Sequence, residues 1–168
     1  ATLRVVLYVF GPKLARECGG ATILAWMAVA TILISSLIAL KKDNLKARLA
    51  FSTIGQLSYI VLGIAILSPL STAGALYHLV AHAFMKITLF MCAGAIFVTT
   101  HKKDISEMVG LGRRMPVTMS AFTIASLGIA GFPFFVGFVS KANIIMGALK
   151  TGQLLFGATL IVSAVLAL

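Results

Sequence analysis

Between Ala21 and Leu40 the chain runs for 20 residues without one charged side chain. A segment that apolar has few destinations, because roughly 20 residues of helix cross the ~30 Å hydrocarbon layer of a membrane. No water serves the backbone in that layer, so a lone apolar run must satisfy its amides and carbonyls internally, as an α-helix does. The signal recurs along the sequence. Ser52 to Leu67 is a shorter run, ended by Ser68 and Pro69, that reaches across if Ala47 to Phe51 extend its helix. Ser71 to about Thr100 would make roughly 45 Å of helix at 1.5 Å per residue, longer than the hydrocarbon layer, and so must tilt, kink or protrude. Pro116 to Leu149 is longer still, with Lys141 its only charge. Gln153 to Leu168 begins a further span, and Leu3 to Phe10 reads as the tail of another, closed by the helix breakers Gly11 and Pro12. The pattern predicts an all-α polytopic membrane protein with about five transmembrane helices plus a partial one.

Inside Pro116–Leu149 lies GIAGFPFFVGF. Pro133 has no amide proton and clashes with the preceding turn, while Gly128, Gly131 and Gly137 make departures from helical dihedrals cheap. A helix broken near Gly131 to Pro133 is expected.

Composition then sorts the partners. With 60% hydrophobic residues and four carboxylates, the chain lacks the polar surface of a soluble globule. Its formal charge of +10 raises nucleic acid as a partner. The basic residues, however, sit in short loops between apolar runs, with no basic stripe interleaved with aromatics, so no nucleic-acid binding is expected. Lys41, Lys42, Lys46 and Arg48 share a side with Lys102, Lys103, Arg113 and Arg114, whereas Lys13, Arg16 and Lys150 fall on the other. The positive-inside rule assigns the loops at 41–48 and 100–115 to the cytoplasm of a bacterial or archaeal cell. Asp43, Asp104 and Glu107 lie on that side and Glu17 on the opposite one, so no span contains a carboxylate. Cys18 and Cys92 are isolated, form neither a CxxC pair nor a metal spacing, and read as structural. The opening ATLRVVLYVF lacks the basic region and cleavage site of a signal peptide, and reads as cut from a longer chain.

The chemistry concentrates in HLVAHAFMK. His78, His82 and Lys86 follow at i, i+4 and i+8, which places them on one helical stripe about 6 Å apart along the axis. Successive members are therefore too far apart for direct hydrogen bonds without water between them. Histidine titrates near neutrality, and desolvation weakens an amine's hold on its proton, so such a stripe can pass protons along wet steps. The competing reading has each histidine bonded to a neighbouring helix and Lys86 snorkelling to an interface. Three in register at membrane depth favour function, since charged groups there are costly. Lys141, about two turns past the proposed break among Phe138, Val139, Ser140 and Ala142, is the second signal, because transporters place ion sites at broken helices. The alternative for it, too, is snorkelling.

Other chemistries fit less well. His78-Leu-Val-Ala-His82 has the spacing of a helical zinc pair but lacks the glutamate that follows the first histidine in HExxH. Two histidines on one helical face cannot both be axial ligands of one haem, although His82 with a histidine of another subunit stays formally open. Arg4 and His101 read as interfacial, and Trp26, Tyr59 and Tyr77 as packing or interface residues.

Four stretches carry a resemblance. DNLKARLAFSTIGQLSY (Asp43–Tyr59), ALYHLVAHAFMKITLFMCAGAI (Ala75–Ile96), DISEMVGLGRRMP (Asp104–Pro116) and GIAGFPFFVGFVSK (Gly128–Lys141) resemble, in that order, the antiporter-like proton-conducting subunits of respiratory complex I and of Mrp-type cation/proton antiporters. GLGRRMP and GFVSK are most similar to the Mrp D-type and related membrane hydrogenase or complex I branches. The resemblance implies two inverted five-helix repeats, each with a broken helix, and a line of water and ionisable groups at the membrane midplane. Residues 1–20 would then end the preceding helix and loop, and 21–168 would form most of the second repeat, its last helix truncated. His78, His82 and Lys86 would belong to the family's relay helix, and Lys141 would be the lysine of the second broken helix, beside the exit. The intramembrane glutamate of the family's first half, and its paired lysine, have no counterpart here, so the chain would hold one half-channel.

The resulting expectation is proton translocation by a membrane subunit of a larger complex, with protons and lipid as partners, other membrane subunits around it, and no cofactor or catalytic site of its own. Sodium transport and the identity of the complex stay open. The rival is a redox membrane anchor that binds quinone or haem without translocation.

Overall fold

The computed structural model describes residues 2–166. In chain order, α1 (Thr2–Arg4) continues as a π-helical stretch, Val5–Phe10, and is followed by α2 (Gly11–Glu17), α3 (Gly20–Lys41), α4 (Leu45–Ala65) and α5 (Pro69–Thr100). A 3-10 turn at Ile105–Glu107 then leads to α6 (Leu111–Arg114), α7 (Pro116–Ala130), α8 (Val136–Lys150) and α9 (Leu154–Leu166). Helices α3, α4 and α5 are each long and apolar enough to cross a membrane.

Local chemistry accounts for most boundaries. The short run ending at Leu67 does extend backwards, because Asn44 caps α4 by accepting from the Ala47 amide at 3.1 Å, an interaction that stabilises a helix start by about 1 kcal/mol. The long run becomes one unbroken helix of 32 residues, with Pro69 in its first turn, where a missing amide proton leaves no bond unmade. Gly11, at φ 74°, ends the first helical stretch at Phe10, where the sequence places its close, and Pro12 sits in the first turn of α2 as Pro69 does in that of α5. Lys13 and Arg16 therefore sit on a short helix within the region expected to end as a loop.

Helix α5 lies at the centre, packing on α4, α7 and α8, while α3 covers α4 and α9 bridges α3 and α8. At its contact with α8, Ser71 lies against Gly147 and Gly74 against Ser140 and Ile144, and the missing Cβ atoms let the backbones approach closely. Of the four apolar clusters that result among the described residues, two are the largest. One joins Ile32 of α3, Leu62 of α4, Ile144 of α8 and Leu160 of α9. The other joins Leu49 of α4, Leu89 and Ile96 of α5 and Ile129 of α7.

The outer faces carry Ile23, Met27 and Ile34 on α3 and Val80, Phe84, Ile87 and Met91 on α5. Buried positions of α5, in contrast, include His78, His82 and Lys86. Apolar groups outside and ionisable groups inside suit a bundle whose solvent is lipid, and the chain is an integral membrane protein.

The connections gather at two ends. Residues 43–45 and 103–106 are clipped together: Leu45 N donates to the Lys103 carbonyl at 3.1 Å and Ile105 N to the Asp43 carbonyl at 2.9 Å. Asp43 also receives the Ser106 amide at 3.1 Å and hydroxyl at 2.6 Å, and these bonds hold its carboxyl below the ordinary carboxylate value. At the other end, Arg16 donates to the Leu67 carbonyl at 3.3 Å, near the turn at Gly152 and Gln153. The two groups of basic residues distinguished in the sequence thus occupy opposite ends of the bundle.

Candidate functional site

Polar groups line the inside of α5 between the two apolar clusters. His78, His82 and Lys86 are 1%, 6% and 5% exposed, so the lysine does not reach an interface. His78 Nδ1 lies 2.9 Å from Ser140 Oγ of α8, and its Nε2 lies 3.0 Å from Gln56 Oε1 of α4. The His78 and His82 rings stack at 6.1 Å between centroids without a bond between them, as the axial spacing requires. His82 Nε2 is buried and has no hydrogen-bond partner among the described residues. Lys86 Nζ donates to the Leu49 carbonyl of α4 at 3.0 Å, which also accepts from the Thr53 hydroxyl at 2.9 Å.

The run from Pro116 to Leu149 is two helices of 15 residues, α7 and α8, separated by residues 131–135. An α-helical carbonyl at Ile129 would be served by the amide of residue 133, and Pro133 has none. Gly131, at φ 90°, turns the chain out of the helix in a conformation that side chains other than glycine rarely adopt. Lys141 supplies the missing donor. Its Nζ reaches back across the break to the carbonyls of Ile129 at 2.7 Å and Ala130 at 3.0 Å. At 5% exposure it, too, is kept from the interface. The halves can lie this close because Gly137 has no Cβ; one added there would strike the Gly128 carbonyl oxygen. The Lys141 ammonium also lies 5.2 Å from the centroid of Tyr59, whose ring stacks on His78 at 5.8 Å. Lys141 and the α5 stripe are thereby joined through one aromatic ring.

A cavity of about 410 Å3 extends beside the clipped-loop end of the bundle, lined by Arg48, Ile105 and Met108 and also by Leu49, Gln56 and Lys86. Water entering there meets Lys86 and the amide that holds His78.

Tyr59 was expected to be a packing residue; its ring is fully buried between His78 and Lys141, and its hydroxyl donates to the Leu160 carbonyl at 3.4 Å. Gln56 and Ser140 were not singled out at all. Gln56 gave one signal, an amide inside an apolar span, which needs a partner wherever it is buried. Ser140 gave none. Trp26 and Tyr77 are exposed on outer faces, as interface residues are, and Cys18 is exposed while Cys92 is buried. Among the described residues no group of three histidine, cysteine or carboxylate side chains is placed to hold a metal ion.

Comparison with known proteins finds one family model, the transmembrane region of NADH:quinone oxidoreductase and Mrp antiporter subunits, matching residues 6–167. Among individual relatives, NADH-quinone oxidoreductase subunit N of Desulforudis audaxviator is 41% identical over 144 residues, covering 86% of this chain and 29% of that protein. Among solved structures, a chain of the Mrp complex from Dietzia sp. superposes with a TM-score of 0.87 at 30% identity, covering 92% of this chain and 29% of the other. A chain of the membrane-bound sulfane sulfur reductase, an archaeal respiratory membrane complex, gives 0.84 at 31% identity, with 89% and 31% covered. The chain therefore spans less than a third of the length of each of these proteins.

Proposed function

Because the chain belongs to the family of NADH:quinone oxidoreductase and Mrp antiporter transmembrane subunits, we propose that it translocates protons as part of a membrane subunit within a larger multi-subunit complex. Protons move through water between His78, His82, Lys86 and Lys141, and the two lysines store charge. The observation that carries this reading is the burial of all four groups, against lipid-facing apolar residues, with Lys141 bound to the open carbonyls of a broken helix. Burying an unused ammonium is costly, so two of them at depth need a purpose.

Each group then has a task. Lys86 meets water from the cavity and receives or returns a proton there. His82 continues the line, and its buried, unpartnered Nε2 needs a bridging water as partner. His78 passes charge towards α8. Lys141 holds it beside the break, where Gly128, Gly131, Pro133 and Gly137 keep the backbone open to an exit. At several Å and an effective dielectric near 20, Coulomb energies between such charges amount to a few kcal/mol, enough to move a proton from one site to the next.

In the same reading, residues 21–168 form the second five-helix inverted repeat, α7 and α8 being its broken helix, and residues 1–20 end the preceding segment. The loops at 41–48 and 100–115 face the cytoplasm, which makes the cavity a cytoplasmic entrance. The redox-anchor alternative loses His78 as a ligand, since both of its ring nitrogens lie against protein groups, and would rest on His82 alone.

The test is proton uptake by proteoliposomes holding the assembled complex. Replacing both Lys86 and Lys141 by methionine is expected to abolish uptake while leaving the complex assembled. Uptake at the wild-type rate in that double variant would end the proposal.

A further inference from the structure

His78 is held on both sides by groups that are themselves buried: Ser140 is fully enclosed and Gln56 is 3% exposed. Ser140 Oγ lies 2.9 Å from His78 Nδ1 and also 3.0 Å from the Gly137 carbonyl oxygen, one turn back on α8. A serine hydroxyl has one hydrogen to donate and lone pairs with which to accept. It can therefore donate to Nδ1, or accept from Nδ1 while donating to Gly137, and both arrangements use the same heavy-atom positions. On the other side, Gln56 presents its carbonyl oxygen to Nε2 at 3.0 Å, and that oxygen can only accept.

The geometry points to Ser140 as a positioning residue that lets His78 take up and release its proton at Nδ1, with Nε2–H held permanently by Gln56. In the neutral ring, Ser140 donates to the bare Nδ1. As protonated water or a neighbouring ammonium gives up a proton to the Ser140 oxygen, breaking its own O–H or N–H bond, the hydroxyl hydrogen passes to Nδ1 to form the new N–H bond; the hydroxyl now directs its replacement hydrogen to the Gly137 carbonyl and accepts from Nδ1–H. Release reverses these steps, and no electrons are transferred. Every polar atom around the ring stays paired in both states, which matters because an unpaired buried polar group opposes whichever state creates it. The exchanging nitrogen faces α8, the helix that carries Lys141 next to Ser140, whereas the fixed one faces α4 and the cavity.

This inference rests on the relay reading, and the experiment separates the two. Proton uptake is measured for the assembled complex carrying His78→Gln, Ser140→Ala or Ser140→Cys, and the 15N signals of His78 are identified as those lost in His78→Gln. Uptake is expected to vanish in His78→Gln, to fall on the order of tenfold in Ser140→Ala, and to recover in part with cysteine, a weaker rotatable donor. The neutral ring should show a protonated Nε2 and a bare Nδ1. Normal uptake in Ser140→Ala, or a neutral ring protonated at Nδ1, would overturn the inference and leave the relay standing. Wild-type uptake in His78→Gln would remove both. Where Ser140→Ala fails to assemble, the wild-type nitrogen signals decide.

Discussion

Replacing Lys141 by methionine probes the structure of the break as well as its chemistry. The side chain keeps its bulk and loses the ammonium that donates to Ile129 and Ala130 at 2.7 and 3.0 Å. No backbone amide takes over at Ile129, because the residue four positions on is Pro133. A buried carbonyl left without a donor costs about 1–3 kcal/mol in soluble proteins, and hydrogen bonds between membrane helices average nearer 0.6 kcal/mol. Two lost bonds therefore destabilise the closed break by about 1–6 kcal/mol, and at 1.4 kcal/mol per factor of ten the local opening constant rises by at least about 5-fold and by up to about 10^4-fold. Hydrogen exchange of the assembled complex, read by mass spectrometry on peptides spanning 128–138, measures that opening. Exchange there should accelerate by this factor in Lys141→Met, stay close to wild type in Lys141→Arg, and be unchanged in α3. Unaltered exchange in the methionine variant would refute the argument that Lys141 stands in for the proline's missing amide.

Four further outcomes are expected. Gly137→Ala drives a methyl group into the Gly128 carbonyl and should part α7 from α8 at about 1–3 kcal/mol, lowering both the melting temperature and proton uptake of the complex. Gly94→Ala, where a Cβ meets nothing within 4 Å, should leave both unchanged. Ser52→Phe fills the cavity that reaches Lys86 and should slow uptake without unfolding the bundle; an unaffected rate would show that water enters elsewhere. At the clipped loops, the lowered Asp43 carboxyl stabilises the fold at pH values above the ordinary aspartate value near 4, and that contribution is lost as pH falls through the lowered folded value. Exchange of the Ser106 amide should rise over that acid range, and in Asp43→Asn it should be faster at neutral pH and lose this pH step.

Much of the bundle was legible because membrane helices announce themselves by length and by absence of charge. Pro69 marks the end of the α4 run in the sequence and the proline between glycines marks the interruption at 131–135, whereas Asn44 as a cap and Pro69 as the start of α5 came from the structure. Gly11 and Pro12 likewise mark the close of the stretch ending at Phe10, but not the short α2 that begins there, since proline is equally at home in a helix's first turn. Lys86 and Lys141 stood out as charges among apolar neighbours. Tyr59, Gln56 and Ser140 did not, for a physical reason: Tyr59 and Gln56 come from α4 and Ser140 from α8, and they converge on a ring that α5 supplies. Aromatic or small hydroxyl side chains in a span are unremarkable until a neighbouring helix brings a partner, and that pairing depends on helix rotation, which periodicity along one segment does not specify.

The central claim is that the two secluded amines exchange protons during transport. Infrared difference spectroscopy on the assembled complex, under turnover and with Lys86→Met and Lys141→Met used to identify each signal, follows their protonation directly. The expected result is a pair of ammonium bands that diminish and return as protons cross, each missing from its own variant. Ammonium bands that never change while protons continue to cross would contradict the account.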